Sequence, residues 1–124
     1  MTTRRILVTG SRKWGDVHRI RSVLAYHRVA FPDAILVHGN ARGADRIAAQ
    51  IWKSWGLPTE AHPVTNTEWA VNRGAGHARN RRMIEAGADI CLAFIRNNSP
   101  GSTHCARWAM DAGIPTYLHV HTDS

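Results

Sequence analysis

Lysine is nearly missing from this chain: of its 16 basic side chains only Lys13 and Lys53 are lysines, and the rest are arginine. Acidic residues are few as well, nine against those sixteen, leaving a formal net charge of +7. That balance points to an anionic partner. Arginine's planar fork suits bidentate contact with phosphate or carboxylate, although a GC-rich coding sequence produces the same bias. Cysteine is scarce. Cys91 and Cys105 have no metal-ligand spacing around them and read as reduced core thiols, with a disulfide between them as the alternative. No apolar stretch is long enough to span a bilayer, and Met1 to Arg5 leads straight into a short strand rather than a signal-peptide core. A cytoplasmic location without a membrane partner is therefore expected. The eight histidines lack zinc spacing, so neither metal nor cofactor is expected. There is also no nucleophile elbow, Walker loop or complete G-x-G-x-x-G fingerprint, which removes the usual enzyme labels.

What is present is a regular alternation. A length of 124 residues, 44% of them hydrophobic, suits a single domain spanning 1–124 with one core, and no linker or repeat divides it. Five strand-like runs alternate with four helical ones, the pattern of a three-layer α/β fold with a mainly parallel sheet and right-handed crossovers. The strands are expected at Arg5–Thr9, Ala34–Val37, Thr59–His62, Asp89–Ile95 and Thr116–Val120. Helices are expected from about Asp16, with Val17, Ile20, Val23 and Leu24 inward, and from Ala44, with Ile47, Ala48, Ile51, Trp52 and Trp55 on one face. Two more should run from His77 to Gly87 and from Thr103 to Ala112. The polar, glycine-broken stretch from Pro63 to Gly76 reads as irregular, and the tail from His121 to Ser124 as loose. The expected strand order is 3-2-1-4-5, with ligands at the reversal between the first and fourth strands.

Three strand-to-helix junctions then converge on one pocket. The loop His38-Gly39-Asn40-Ala41-Arg42-Gly43-Ala44-Asp45 is expected to point free backbone amides outward, so that these, the helix dipole and Arg42 or Arg46 surround a phosphate while Gly39 and Gly43 permit the turns. Asp45 either complements the dipole or grips a ribose or other polar group. Gly10-Ser11-Arg12 supplies a tight turn, a hydroxyl and a guanidinium, or else a turn with a serine cap. Trp14 either stacks on a base or covers the core. In Pro100-Gly101-Ser102-Thr103, read as preceding the last helix, the hydroxyls either reach a phosphate or cap the helix. The segment from Asn72 through Arg73 to Asn80 opens another helix, placing Arg79 as a phosphate anchor and Asn80 to hold a loop or a base edge, both in the first turn. Arg81 and Arg82 read as solvent-facing and Met83 as core.

The ordered set Gly10-Ser11-Arg12, His38-Gly39-x-x-x-Gly43-Ala44-Asp45, Trp69, Gly74 with Arg79-Asn80-x-x-Met83, and Gly101-x-Thr103 resembles the YspA-like, YpsA-related branch of the SLOG superfamily, formerly a domain of unknown function. The resemblance runs along nearly the whole chain. It implies a Rossmann-like fold, in a superfamily that includes cytokinin-activating phosphoribohydrolases, the DNA-processing protein DprA and sensor domains for nucleotide-derived signals. Relatives that cleave an N-glycosidic bond carry a Gly-x-Gly-Thr loop followed by a glutamate. That glutamate is missing here, Ser102 replaces a glycine, and His77 stands where close relatives often have proline.

The leading expectation is therefore a sensor or accessory module that binds a nucleotide or nucleotide-derived small molecule. Its phosphate would be held by Gly10, Ser11, Arg12, Gly39, Asn40, Arg42, Gly43, Arg79, Gly101, Ser102 and Thr103, with Asp45 and Asn80 beside it. The enzymatic alternative is hydrolysis of a nucleotide-like N-glycosidic bond with Asp45 or Glu68 as acid–base. A third is single-stranded nucleic acid binding through the arginines and exposed Trp14 and Trp69. The resemblance also implies a homodimer or larger assembly, through faces bearing Trp52, Trp55 or Trp108, with core packing as the alternative for those tryptophans.

Overall fold

A computed structural model of the chain describes residues 3–72 and 74–122. Five parallel strands form one sheet in the order 3-2-1-4-5: β1 (Arg5–Gly10), β2 (Ile35–His38), β3 (Thr59–Ala61), β4 (Ile90–Arg96) and β5 (Thr116–His121). Helices α1 (Val17–Ala30) and α2 (Ala44–Ser54) precede β3, whereas α3 (Asn66–Val71), α4 (Ala75–Glu85) and α5 (Pro100–Asp111) follow it. The reversal falls between β1 and β4, as expected.

Central β1 and β4 are almost wholly buried, which is why they read as continuous apolar runs rather than as alternating ones. Side-chain alternation sends Ile6 and Val8 into a cluster with Ile20, Leu24, Ala48 and Trp52, and sends Leu7 into another with Val37, Met83, Cys91 and Cys105. Trp52 is the largest fully buried side chain, and its indole N–H donates to the Ala34 carbonyl at 3.0 Å. One ring thus fills the core beneath α2 and pairs its own polar atom. Both cysteines are free and buried, and burial pushes Cys105 up to about 11 and Cys91 higher still. Burial of this kind disfavours the thiolate.

Several boundaries differ from expectation. The stretch from Pro63 to Gly76 contains α3, capped reciprocally by Thr65 and Glu68, and this Thr-x-x-Glu box is a helix start written in the sequence. Among the described residues there are thus five helices, not four. Helix α4 begins at Ala75, which moves Arg79 and Asn80 out of the first turn. Helix α5 begins at Pro100, where proline's fixed φ and missing N–H cost nothing, so Gly101, Ser102 and Thr103 lie inside the helix rather than before it. Val17 is half exposed, Trp14 is core at 3% exposure against Phe94, and His121 ends β5 rather than opening a loose tail. Arg73, Asp123 and Ser124 lie outside the described residues. Among the described residues no helix is long and apolar enough to cross a membrane.

An ion cluster ties the β3 edge to the centre of the sheet. From β1, Arg5 reaches over β2 to donate to both Glu60 oxygens, at 3.2 and 2.7 Å, and His62 Nε2 lies 2.7 Å from Glu60 Oε2. Arg5 first, then His62, hold the Glu60 carboxyl down to about 2. The stability this contributes is complete above the unfolded value near 4.5 and is lost as pH falls toward 2. Glu60→Gln should accordingly lower the urea midpoint at pH 7, with the gap to the parent closing as both are titrated to pH 2. Gly10→Ala should act at any pH. A methyl there would lie 2.8 Å from the Phe94 carbonyl oxygen and collide with the Ala44 methyl, so urea unfolding should show a loss of about 1–3 kcal/mol.

Candidate functional site

The loop between β2 and α2 is folded around its own aspartate. Asp45 is 4% exposed, and its Oδ2 accepts the Gly39 N–H at 2.9 Å, with the Ala41 amide also bonded to the carboxylate. The Asn40 amide donates to His38 Nδ1 at 3.0 Å, Ala44 N–H to the Ser11 carbonyl at 3.2 Å, and Arg46 N–H to the Ala41 carbonyl at 3.3 Å. These amides turn inward, contrary to the expected outward cradle. For two of them the reason is electrostatic: a carboxylate at the second position of α2 is a strong nearby acceptor, so the Gly39 and Ala41 amides close on it. Burial pushes Asp45 up to about 6, even though Gly39, Arg79 and Ala41 all pull it down. Burial likewise pushes His38 down to about 4, leaving a neutral ring whose Nδ1 accepts.

Arg79 clamps the same loop from α4. Its Nη1 donates to the Gly39 carbonyl at 2.5 Å and to the His62 carbonyl at 3.3 Å, and its Nε donates to Asn80 Oδ1 at 2.7 Å. The guanidinium lies so close over Gly39 that a methyl there would overlap it, the Nε being only 2.9 Å away. Gly39 is thus needed for this approach, whereas Gly43 is needed for its φ of +79° and for the Ser11–Arg12 backbone packed against it. Asn80 holds Arg79 in place.

Beside this clamp, at the carboxyl ends of β1 and β4, opens a cleft of about 550 Å³. Gly10, Ser11, Arg12, Asp45, Arg79, Asn80, Gly101 and Ser102 all line it, together with Lys13, Trp69 and His77. Gly39, Asn40 and Arg42 instead line a neighbouring cavity, and Gly43 and Thr103 line neither. Glu68 lines neither as well. It is occupied by the Thr65 cap and lies 4.0 Å from Arg82, so it is not brought together with Asp45. Residues of the cleft that the sequence did not single out are Thr9, Ala41, Arg96 and Asn97. The position of Arg96 and Asn97 at the carboxyl end of the strand at the reversal was the available signal.

The serines are committed to one another. Ser11 Oγ accepts the Arg96 N–H at 2.8 Å and contacts Ser99 Oγ, which lies 2.6 Å from Ser102 Oγ. This hydroxyl knot ties the end of β1 to the start of α5. Ser99 stands at the N-cap without capping through its side chain, Pro100 has no N–H, and the first backbone bond is Thr103 N–H to the Ser99 carbonyl. The Gly101 and Ser102 amides precede that bond, and open space adjoins Gly101. Arg12 lies 5.8 Å from the Trp69 ring, which rests against Gly76. Trp69 is carried by α3, a helix with no buried residue.

Comparison with known proteins bears on this arrangement. A family model, YAcAr (YspA, cpYpsA-related SLOG family), matches residues 4–67. The Gene 61 protein of Mycobacterium phage D29 is 45% identical over 120 residues, covering 90% of this chain and 93% of that protein. Among solved structures, DNA processing protein A from Streptococcus pneumoniae superposes with a TM-score of 0.74 at 17% identity, over 94% of this chain and 50% of that one. The Helicobacter pylori DNA processing protein A, described for its single-stranded DNA binding mode, gives 0.63 at 18% identity, over 94% of this chain and 65% of that one. The chain thus spans about half to two-thirds of these two structures, and the likeness is one of fold. A family match over more than half its residues and a 45% identical relative along nearly all of its length agree: this chain belongs to the YspA, cpYpsA-related SLOG family.

Proposed function

We propose that the protein binds a nucleotide or nucleotide-derived small molecule, as a sensor or accessory module, with a phosphate seated at the start of α5. The observation that carries this reading is the open, uncapped helix start at Gly101 and Ser102 facing a cleft that also holds Arg12, Lys13 and Arg96. A volume of about 550 Å³ accommodates a mononucleotide, and the half-exposed Trp69 ring offers a face for its base. Asp45, the one carboxylate among the described residues that line the cleft, is engaged by the Gly39 amide.

Single-stranded nucleic acid binding is the second reading, favoured by the arginine excess and by the fold shared with a protein described for single-stranded DNA binding. Steep, length-dependent salt sensitivity distinguishes it from mononucleotide binding. Hydrolysis of an N-glycosidic bond is less well supported, because Asp45 would have to leave the loop it braces. Self-association is supported by the apolar β5 edge, where Tyr117, Leu118 and Val120 are exposed, rather than by the buried Trp52.

Titration calorimetry with AMP should show saturable one-to-one binding that weakens about tenfold in Arg12→Ala, the loss of one charge-assisted contact, and disappears in Gly101→Val. Absence of binding by any nucleoside monophosphate at millimolar concentration would sink the proposal. Asp45 has its own test. The folded protein keeps the Asp45 proton up to about pH 6, whereas the unfolded chain releases it near 3.8, so this group makes stability fall as pH rises between those values. Relative to Asp45→Asn, the parent should lose stability across that window, measured by urea unfolding at pH 4, 5, 6 and 7. Release of free base from a nucleotide, abolished in Asp45→Asn, would restore the enzymatic reading instead.

A further inference from the structure

The second cavity, about 240 Å³, lies against the cleft and shares with it the residues Arg12, Ala41, Trp69 and Arg79. Among the described residues four guanidinium groups line it, those of Arg12, Arg42, Arg46 and Arg79, and no carboxylate does. Like charges gathered in one small space repel unless a counter-charge joins them. Asp45 acts on Arg79 and on Arg12 from the side of the main cleft, and among the described residues no ion pair answers Arg42 or Arg46. Two of the four are held in place. Arg79 is 7% exposed and fixed by its bonds to Gly39 and His62, and Arg46 donates from Nε to the Asn40 carbonyl at 3.0 Å, which leaves its two terminal nitrogens to turn elsewhere. Held guanidinium groups of this kind are the side chains best matched to phosphate oxygens. The volume falls below the range of about 300–1,000 Å³ typical of whole small-molecule sites, yet it holds a phosphoryl group with its waters.

From this geometry we propose that the cavity is a second phosphate subsite, so that the ligand carries two phosphoryl groups on either side of one nucleoside. One phosphate rests at the start of α5, the nucleoside lies along the Arg12–Trp69 wall, and the other phosphate enters among the arginines. The proposal rests on the nucleotide reading of the main cleft. Its chemistry is that of a nucleoside 3′,5′-bisphosphate, and one step of a single strand presents the same pair of groups.

Calorimetry at about 0.1 M salt with AMP, adenosine 3′,5′-bisphosphate, the 5′-phosphorylated dinucleotide of adenosine and its hexamer separates the possibilities. The bisphosphate should bind roughly tenfold more tightly than AMP, the increment of one bidentate charge-assisted contact. Arg46→Gln should erase that advantage and leave AMP affinity unchanged, the latter serving as the control for folding. A bisphosphate no tighter than AMP, or an advantage that survives in Arg46→Gln, overturns the second subsite while leaving the mononucleotide reading intact. Failure of AMP to bind, with Arg46-dependent binding of the bisphosphate, upholds the subsite and overturns the main-cleft reading; failure of both ligands overturns both. Affinity that keeps rising from dinucleotide to hexamer assigns the two phosphates to a strand, and no gain beyond the bisphosphate assigns them to a small molecule.

Discussion

Asp45 and Arg79 grip opposite ends of the same peptide segment: the carboxylate accepts the Gly39 amide, and the guanidinium donates to the Gly39 carbonyl. Both side chains are buried, so each sheds its hydration shell and must recover that cost from fixed partners. Burial drives the Asp45 carboxyl up and the Arg79 guanidinium down, and each pulls the other back toward its charged form. Removing either would leave the other as an uncompensated buried charge. The clamp joins the first turn of α2 and the loop before it to α4, and Gly39 and Arg79 stand forty positions apart in the chain. It therefore joins the two helical layers at the end of the sheet where the cleft opens.

Much of the chemistry of the cleft follows from that clamp. The Gly39, Asn40 and Ala41 amides close on Asp45 and on the His38 ring, so the cleft is faced instead by the start of α5 and by the surrounding guanidinium groups. The hydroxyl knot of Ser11, Ser99 and Ser102 sets where α5 starts relative to β1, and hence where its free amides point. Arg12, resting on Trp69, forms the partition between the large cavity and the small one. The helix carrying Trp69 buries nothing of its own and is held by its Thr65–Glu68 cap, so it is the least anchored wall of the site.

The backbone plan was legible wherever one local rule decided it. Ile6, Leu7 and Val8, and the run from Ile90 to Ile95, carry enough apolar surface to occupy both faces of a central strand, and they do. Gly56 and Gly113 stop their helices with positive φ, just where periodicity ends. Element starts governed by a single residue were misjudged when polarity was weighed above capping: Thr65 begins α3 within a stretch read as irregular, and Pro100 begins α5 three residues early. Trp14 shows the limit of composition, since an indole after a strand suits a ligand face or a core equally, and only its contact with Phe94 and the 3.0 Å bond from its N–H to the Asp16 carbonyl decide for the core.

By itself the sequence determined the strand–helix alternation, the sheet order that goes with it, and the gathering of Gly10–Arg12, the Gly39 loop and Gly101–Ser102 at one end. Periodicity and glycine placement are local properties that a chain carries openly. Which of those groups remain available to a ligand was decided by tertiary structure alone. Hydrogen-bond capacity is finite, and partners far apart in sequence, Arg79 with Gly39 or Ser11 with Ser99, compete with the ligand for the same donors and acceptors. Asp45 is the plainest case: its place at the head of a helix is evident from the chain, whereas its commitment to bracing the loop appears only once Gly39 and Arg79 are folded against it.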